Sequence, residues 1–262
     1  MTATRETGTY LYCLVQADRQ PSLGGAPRGL PGTGPLRLLD AGDDLWLVVG
    51  DAPLAVYGSE PIDRNLHDLE WVGVRAAAHA RAVEYFARRS TTLPMKLFTL
   101  FTSDERAVTH VRGDAARVRR VLARVHGHEE WGVRVRLDAA LVRKRTARRP
   151  AAATNGGRAG TKFLLAKKQA RDVAREVLRE GRAAVEEAYE TLADLADGTR
   201  RRPAGELEGT RLVLDAALLV PAGRLTSFKR VARRAATTLA ARGYRLSLTG
   251  PWPAYNFVGD AR

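Results

Sequence analysis

The residues able to carry acid–base, nucleophilic or metal chemistry are scattered along the chain. His67 and His79 are not spaced as a zinc pair on one helix, and no His-Glu-x-x-His sequence occurs. His126 and His128 flank a glycine and could hold a metal together, but no third ligand is implied nearby. Cys13 is the single cysteine, so neither an internal disulfide nor a cysteine metal cage can form. The sequence therefore predicts no enzyme, no metal and no cofactor.

Three aromatic residues near the C-terminus, Trp252, Tyr255 and Phe257, are the most distinctive candidates for binding. They follow a strand pattern over 244–249 and a Gly-Pro-Trp-Pro sequence. Each proline fixes its own φ and pushes the preceding residue toward an extended conformation, which should hold Trp252 in one direction. Two interpretations remain open: Trp252 closes the end of a core, or the three aromatics form a contact surface for another protein.

A second apolar segment, 93–101, has the sequence Leu-Pro-Met-Lys-Leu-Phe-Thr-Leu-Phe. Beyond Pro94, apolar side chains would alternate to both faces of an extended chain, which predicts a strand buried on both sides. An exposed edge that docks a partner is the alternative. Leu93, Met95 and Phe98 are therefore further candidates for a partner-facing surface or for the core that supports it.

Positive charge is abundant, with a formal net charge of +14, and part of it is concentrated at 143–160. That segment combines arginine and lysine with Gly and Ala and has no apolar period, which predicts a flexible insertion. It could bind nucleic acid through phosphate contacts. The absence of interleaved aromatic residues argues against stacking on single strands.

Neither a signal-peptide pattern nor an apolar run long enough to span a membrane is found in the 262 residues. We therefore expect a cytoplasmic location and no membrane partner.

The N-terminal half alternates predicted strands and helices. We expect a strand at 10–15, a Gly- and Pro-rich loop at 19–35 and a hairpin with a longer loop between 36–39 and 45–49. A helix should begin at Asn65 with an apolar stripe that includes Leu66 and Leu69 and leaves His79 outside. Ser103 should cap a further helix, which Gly113-Asp114 could break.

The C-terminal half is predicted to run strand, long helix, strand, helix, strand. The segments are 131–137, 161–196, 212–220, 227–241 and 244–249, with a polar loop at 198–209 and a possible kink at Gly181. This order suits a ferredoxin-like layout, although one expected strand is not evident. We therefore predict an α+β protein with two domains, 1–130 and 131–262, the second a modified ferredoxin-like fold with the insertion at 143–160.

Three sequence blocks resemble the gas vesicle accessory family GvpL/GvpF. The first is 248–258, Leu-Thr-Gly-Pro-Trp-Pro-Ala-Tyr-Asn-Phe-Val, in which the family often has a second proline where Ala254 stands. The second is 93–101, where the family more often has Arg followed by Phe-Gly-Thr. The third is Gly-Thr-Lys-Phe-Leu at 160–164, at the start of the long helix. The blocks occur in the family's order over most of the chain.

This resemblance implies two α+β domains, the second ferredoxin-like, and a role in assembling gas vesicles. It also implies binding to the small hydrophobic shell protein and to other gas vesicle accessory proteins, with a location at the gas vesicle as well as in the cytoplasm. From another class, the alternative is a basic protein that binds nucleic acid through 143–160; the leading hypothesis needs no such partner. Under the leading hypothesis, the candidate residues that contact the partner are Leu93, Met95, Phe98, Trp252, Tyr255 and Phe257.

Overall fold

The computed structural model describes residues 6–140, 159–207 and 210–259. The chain separates into two compact units, Met1–Gly127 with Trp252–Arg262, and His128–Pro251. This grouping differs from the expected domains 1–130 and 131–262 because the last segment groups with the first unit. The physical reason is burial, since Ala254 and Phe257 are both buried.

The first unit is built on a five-stranded antiparallel sheet. Its strands are β1 (Thr7–Gln16), β2 (Arg37–Gly42), β3 (Leu45–Pro53), β4 (Thr91–Pro94) and β5 (Leu100–Phe101). The order is β2-β3-β1-β4, and β5 also pairs with β1. The expected strand at 10–15 is confirmed as the central β1, in which residues 8–15 are all buried.

The hairpin of β2 and β3 is confirmed, but its turn is shorter than expected. Asp43 and Asp44 form the turn with φ values of 52° and 59°. Positive φ at both central residues is the geometry of a two-residue type I′ turn, whose twist matches that of the strands. Aspartate tolerates this conformation better than most residues.

Five helices belong to the described part of the first unit. They are α1 (Leu54–Tyr57), α2 (Ser59–Asn65), α3 (Leu69–Ala87), α4 (Asp104–Gly113) and α5 (Ala115–Val125). The Ser103 hydroxyl accepts the Arg106 N–H and caps α4, as expected. The predicted break at Gly113-Asp114 is confirmed, since α5 begins at Ala115.

The predicted start and apolar face of α3 are wrong. The helix begins at Leu69, because Asp68 caps it by accepting the N–H groups of Glu70 and Trp71. Leu69 is 84% exposed, whereas His79 is buried. The buried face consists of Ala78, His79, Ala82, Val83, Tyr85 and Phe86.

The predicted continuous strand over 93–101 is also wrong. Strands β4 and β5 are separated by the loop Met95–Thr99, in which Phe98 has a φ of 65°. Residues with positive φ do not continue a strand, so the apolar pattern alone could not reveal this break.

Two apolar layers cover the faces of the first sheet. Tyr10 and Tyr12 belong to the layer that contains α3, and Leu11 belongs to the layer that contains α4 and α5. A bulge in β1 between Leu11 and Cys13 shifts the register against β3. Tyr12 and Cys13 consequently belong to the same layer, and Cys13 is a buried free thiol, as expected.

The second unit contains another antiparallel sheet and two long helices. The strands are β6 (His128–Leu137), β7 (Gly198–Arg202), β8 (Glu206–Leu207), β9 (Thr210–Pro221) and β10 (Tyr244–Trp252). Their order is β10-β6-β9-β7, with β8 paired to β9. The helices α6 (Ala159–Ala193) and α7 (Leu225–Ala241) lie where the sequence predicts them.

Strand β7 is the strand missing from the sequence prediction, which assigned 198–209 to a loop. It pairs antiparallel with β9 and lies at the edge of the sheet. Arg202 bonds Asp215, and Arg201 bonds Glu186. An edge strand rich in charge lacks the apolar alternation that predicts a strand, and charge also discourages unwanted strand pairing.

Helix α6 passes Gly181 without a break. A Cβ at position 181 would lie only 2.6 Å from Cζ of Tyr244, which is fully buried. The glycine therefore allows an aromatic ring to approach the helix backbone. The basic insertion predicted at 143–160 lies almost wholly outside the described residues.

Candidate functional site

A buried polar network in the first unit links the sheet, helix α3 and the loop Met95–Thr99. The ring of His79 is stacked on Tyr12 and lies edge-on to Tyr10, with centroid distances of 5.7 and 5.8 Å. The Tyr10 hydroxyl lies 2.8 Å from His79 Nδ1. His79 Nε2 lies 3.1 Å from the carbonyl oxygen of Met95.

The partners of His79 determine which ring nitrogen carries the proton. The Met95 carbonyl can only accept, so Nε2 carries the hydrogen and donates to it. In the neutral ring Nδ1 is then an acceptor, and the Tyr10 hydroxyl donates to it. Burial lowers the pKa of His79 to about 4, and the Met95 carbonyl opposes this shift only in part. Burial raises the pKa of Tyr10, because it disfavours the charged form of the phenol just as it disfavours the charged form of the imidazole.

The same network holds the loop Met95–Thr99 on strand β1. The N–H of Phe98 donates to the Tyr10 hydroxyl at 3.1 Å, and the N–H of Met95 donates to the Tyr12 carbonyl at 3.0 Å. The N–H of Leu11 donates to the Thr99 carbonyl at 2.9 Å. Both ends and the middle of the loop are therefore fixed, and the half-buried Phe98 side chain is presented in one position.

An aromatic cluster continues from Phe98 along the N-terminal part of α3. The rings of Phe98 and Trp71 are 5.5 Å apart, and those of Trp71 and Tyr57 are 6.5 Å apart. The guanidinium of Arg75 lies over the Trp71 ring, with Cζ 3.8 Å from its centroid. Burial raises the pKa of Tyr57, while the charge of Arg75 and a hydrogen bond from it act in the opposite direction.

The C-terminal segment contributes one ring near this network. Tyr255 lies 6.4 Å from His79, centroid to centroid, and is 36% exposed. Trp252 is 44% exposed, whereas Phe257 is fully buried. Trp252 is therefore not a core residue, and Phe257 is one.

The six residues predicted as contacts thus divide by exposure. Leu93 and Phe257 are buried, Met95 and Phe98 are half-buried in one loop, and the side chains of Trp252 and Tyr255 reach the surface. The structure also adds Tyr10, which the sequence analysis did not single out. A tyrosine in a predicted buried strand, whose hydroxyl needs a partner, was the available signal.

Exposed large apolar side chains are concentrated in the first unit. Among the described residues all of them belong to it, namely Val56, Leu66, Leu69, Val74, Trp252 and Tyr255. Val74 also lines an open groove of about 590 Å³ between α3 and the loop 27–35. Clustered exposed apolar residues characterise surfaces that bind other proteins.

Metal-ligand groups, the Cys13 thiol and membrane-spanning helices bear on the remaining sequence predictions. Within them, no three His, Cys, Asp or Glu side chains are grouped to hold a metal ion. Burial raises the pKa of Cys13, which makes its thiol a poor nucleophile. No helix in the described part combines the length and apolar character that crossing a membrane requires.

Comparison with known proteins identifies relatives over nearly the whole chain. Residues 8–259 match the family described as "Gas vesicle synthesis protein GvpL/GvpF". Over 253 residues the chain is 30% identical to "Gas vesicle protein L" from Streptomyces sp. (strain CB03234), covering 94% of this chain and 92% of that protein.

Two crystal structures have a similar fold. GvpF from Anabaena sp. PCC7120 superposes with a TM-score of 0.66 at 16% identity, and GvpF from Microcystis aeruginosa with 0.65 at 13%. Each match covers 96% of this chain and 98% of the other. These likenesses agree with the mixed helix and strand composition and the antiparallel sheets found here. Since the family match spans residues 8–259 and one relative is 30% identical over almost both full lengths, this chain belongs to the gas vesicle synthesis protein family GvpL/GvpF.

Proposed function

We propose that this protein is an accessory factor in gas vesicle formation that binds the small hydrophobic shell protein through the first unit. The observation that carries the proposal is the concentration there of all exposed large apolar side chains among the described residues. Its location would be the cytoplasm and the forming vesicle, with other gas vesicle accessory proteins as further partners.

The physical basis is the exposure of apolar surface before assembly. A subunit that polymerises into the wall of a gas-filled compartment has apolar faces that are not yet buried. A partner with its own exposed apolar surface can cover those faces and release the subunit when the wall grows. The protein needs no catalytic chemistry for this task.

We assign the predicted contact residues two roles. Met95, Phe98, Trp252 and Tyr255 contact the shell protein, while Leu93 and Phe257 form the core beneath them. The network of His79 and Tyr10 supports this assignment, because it fixes the loop that carries Met95 and Phe98.

For the second unit we propose a modified ferredoxin-like domain. Two strand–helix–strand units interlock in such a fold, and the chain order β6, α6, β7, β9, α7, β10 follows that pattern. The sheet order β10-β6-β9-β7, with β6, β9 and β7 antiparallel in turn, supports it. Strand β8 is an addition to the pattern.

Capture of the co-expressed shell protein tests the proposed function. Leu69→Ser changes a side chain that is 84% exposed, so the fold should survive while capture falls roughly tenfold. Ala240→Ser, an exposed position on α7, is the matched control and should leave capture unchanged.

Capture should persist at high salt, because apolar contacts are not screened. If the folded wild-type chain captures no shell protein, the proposal is wrong. If it captures nucleic acid instead, and both high salt and deletion of 143–160 abolish that binding, the alternative function is correct.

A further inference from the structure

The guanidinium of Arg75 is placed in an aromatic environment without a counter-charge. It lies 3.8 Å above the Trp71 ring and 5.6 Å from the Tyr57 ring centroid. Its Nη1 donates to the Trp71 carbonyl at 3.1 Å, whereas its Nε is buried and has no hydrogen-bond partner. No carboxylate in the described residues forms an ion pair with it.

Two other half-buried arginines in the described parts, Arg37 and Arg134, are arranged differently. Arg37 bonds the carboxylates of Asp104 and Asp51, and Arg134 bonds Asp215. A cation taken partly out of water is destabilising unless an anion or a set of hydrogen bonds compensates it. Arg75 has compensation only from aromatic faces and from neutral oxygens, so one favourable partner is still lacking.

The surroundings of Arg75 indicate where such a partner would come from. Val74 is its neighbour in sequence and is 50% exposed, and Trp71 connects it to Phe98 in the loop Met95–Thr99. The charge therefore lies beside the apolar surface that we assign to the shell protein. A segment that covers this surface would also exclude water from Arg75, which strengthens any ion pair formed there.

We propose that Arg75 binds one carboxylate side chain carried on an otherwise apolar segment of the shell protein. This inference rests on the proposed function and specifies which chemistry the partner must present. Arginine suits the role because its flat guanidinium stacks on Trp71 and still offers N–H donors at its edge for a planar carboxylate. Lysine cannot do both. Arg75 would therefore select among apolar partners, since one without a carboxylate leaves the cation buried and unpaired.

The test compares capture of the co-expressed shell protein by variants of the full chain. Arg75→Gln should weaken capture roughly 10- to 100-fold, because the shell carboxylate is then buried without its partner. Arg75→Lys keeps the charge but loses the flat group that stacks on Trp71. Its capture of the shell protein should therefore lie between that of the wild type and that of Arg75→Gln. Arg88→Gln is the matched control, because Arg88 is an exposed arginine at the end of the same helix and should have no effect.

A second arm leaves this chain unaltered, so it does not depend on whether Arg75 variants fold. Each Asp and Glu of the shell protein is changed in turn to Asn or Gln. One of these changes should weaken capture by the wild-type chain and have little further effect on Arg75→Gln, as expected for coupled residues.

Capture of equal strength by wild type and by a folded Arg75→Gln chain would overturn the inference and leave the proposed function intact. The inference is also wrong, with the proposed function again intact, if no substitution of a shell carboxylate shows coupling to Arg75. Failure of the wild-type chain to capture the shell protein would instead remove the proposed function itself.

Discussion

At the scale of single residues, His79 makes stability depend on pH. It stays neutral in the folded chain down to about pH 4, because burial lowers its pKa to that value. In the unfolded chain a histidine binds a proton below about pH 6.5. The unfolded state thus holds more protons between pH 6.5 and 4, and the free energy of unfolding falls as the pH drops through this window.

We predict a loss of about 3 kcal/mol from His79 between pH 6.5 and pH 4. Urea denaturation of the wild-type chain and of His79→Gln at several pH values measures it, and the variant should lack this part of the pH dependence. The exposed His67, changed to Gln, serves as control. A pH profile unaltered by His79→Gln would show that the ring is not held neutral.

A second residue-scale prediction concerns Gly181 in α6. Alanine normally stabilises a helix interior by about 1 kcal/mol relative to glycine. At position 181, however, the added Cβ would overlap the Tyr244 ring, so we expect Gly181→Ala to destabilise the protein by about 1–3 kcal/mol.

The matched control for Gly181 is Gly73→Ala in α3, where an added Cβ meets nothing within 4 Å. That substitution should stabilise the chain by about 1 kcal/mol. Thermal melts of both variants give the comparison. Equal stabilisation by the two substitutions would mean that Tyr244 does not pack closely against α6.

At the scale of elements, the loop Met95–Thr99 depends on one hydroxyl. Tyr10→Phe removes the acceptor for the Phe98 N–H and the donor to His79 Nδ1 together. We expect a loss of about 1–3 kcal/mol and faster hydrogen exchange at the Phe98 amide. Tyr12→Phe is the control, because the Tyr12 hydroxyl accepts the Leu30 N–H. In that variant, hydrogen exchange should accelerate at the Leu30 amide and not at the Phe98 amide.

The same loop explains why parts of this structure were predictable and others were not. Strands β1 and β9 and helix α7 were predicted because their apolar patterns coincide with the faces they bury. The break after β4 was not, because Phe98 has its positive φ in a loop whose hydrogen bonds reach Tyr10, 88 positions away. Strand β7 was missed because its partners are charges rather than an apolar layer.

The candidate site was likewise predictable from the sequence only in part. The sequence indicated the two aromatic segments as important, but it could not separate Trp252 from Phe257, since both are aromatic residues in one apolar stretch. Exposure separates them, and exposure follows from how the segment folds back within the first unit. Tyr10 gains its role only from distant partners, His79 and Phe98, and Arg75 depends on Tyr57 of α1 as well as on Trp71 of its own helix.

At the scale of the whole molecule, the first unit includes a segment that is distant in sequence, Trp252–Arg262. Phe257 is fully buried there, and Arg124 of α5 lies 5.8 Å from its ring centroid. Val258 packs against the layer that contains α4 and α5. The unit therefore depends on the segment around Phe257, although most of it is encoded in residues 1–127.

We predict that Phe257→Ala destabilises the first unit by about 3–5 kcal/mol, as expected for an aromatic residue removed from a core. Trp252→Ala, five positions earlier and 44% exposed, should change stability by about 1 kcal/mol or less and instead weaken capture of the shell protein. Hydrogen exchange followed by mass spectrometry locates the effect, and β1 should lose protection in the Phe257 variant alone. If both variants lost stability equally, Trp252 would be part of the core, and the contact surface would have to be sought around α3 and the loop Met95–Thr99.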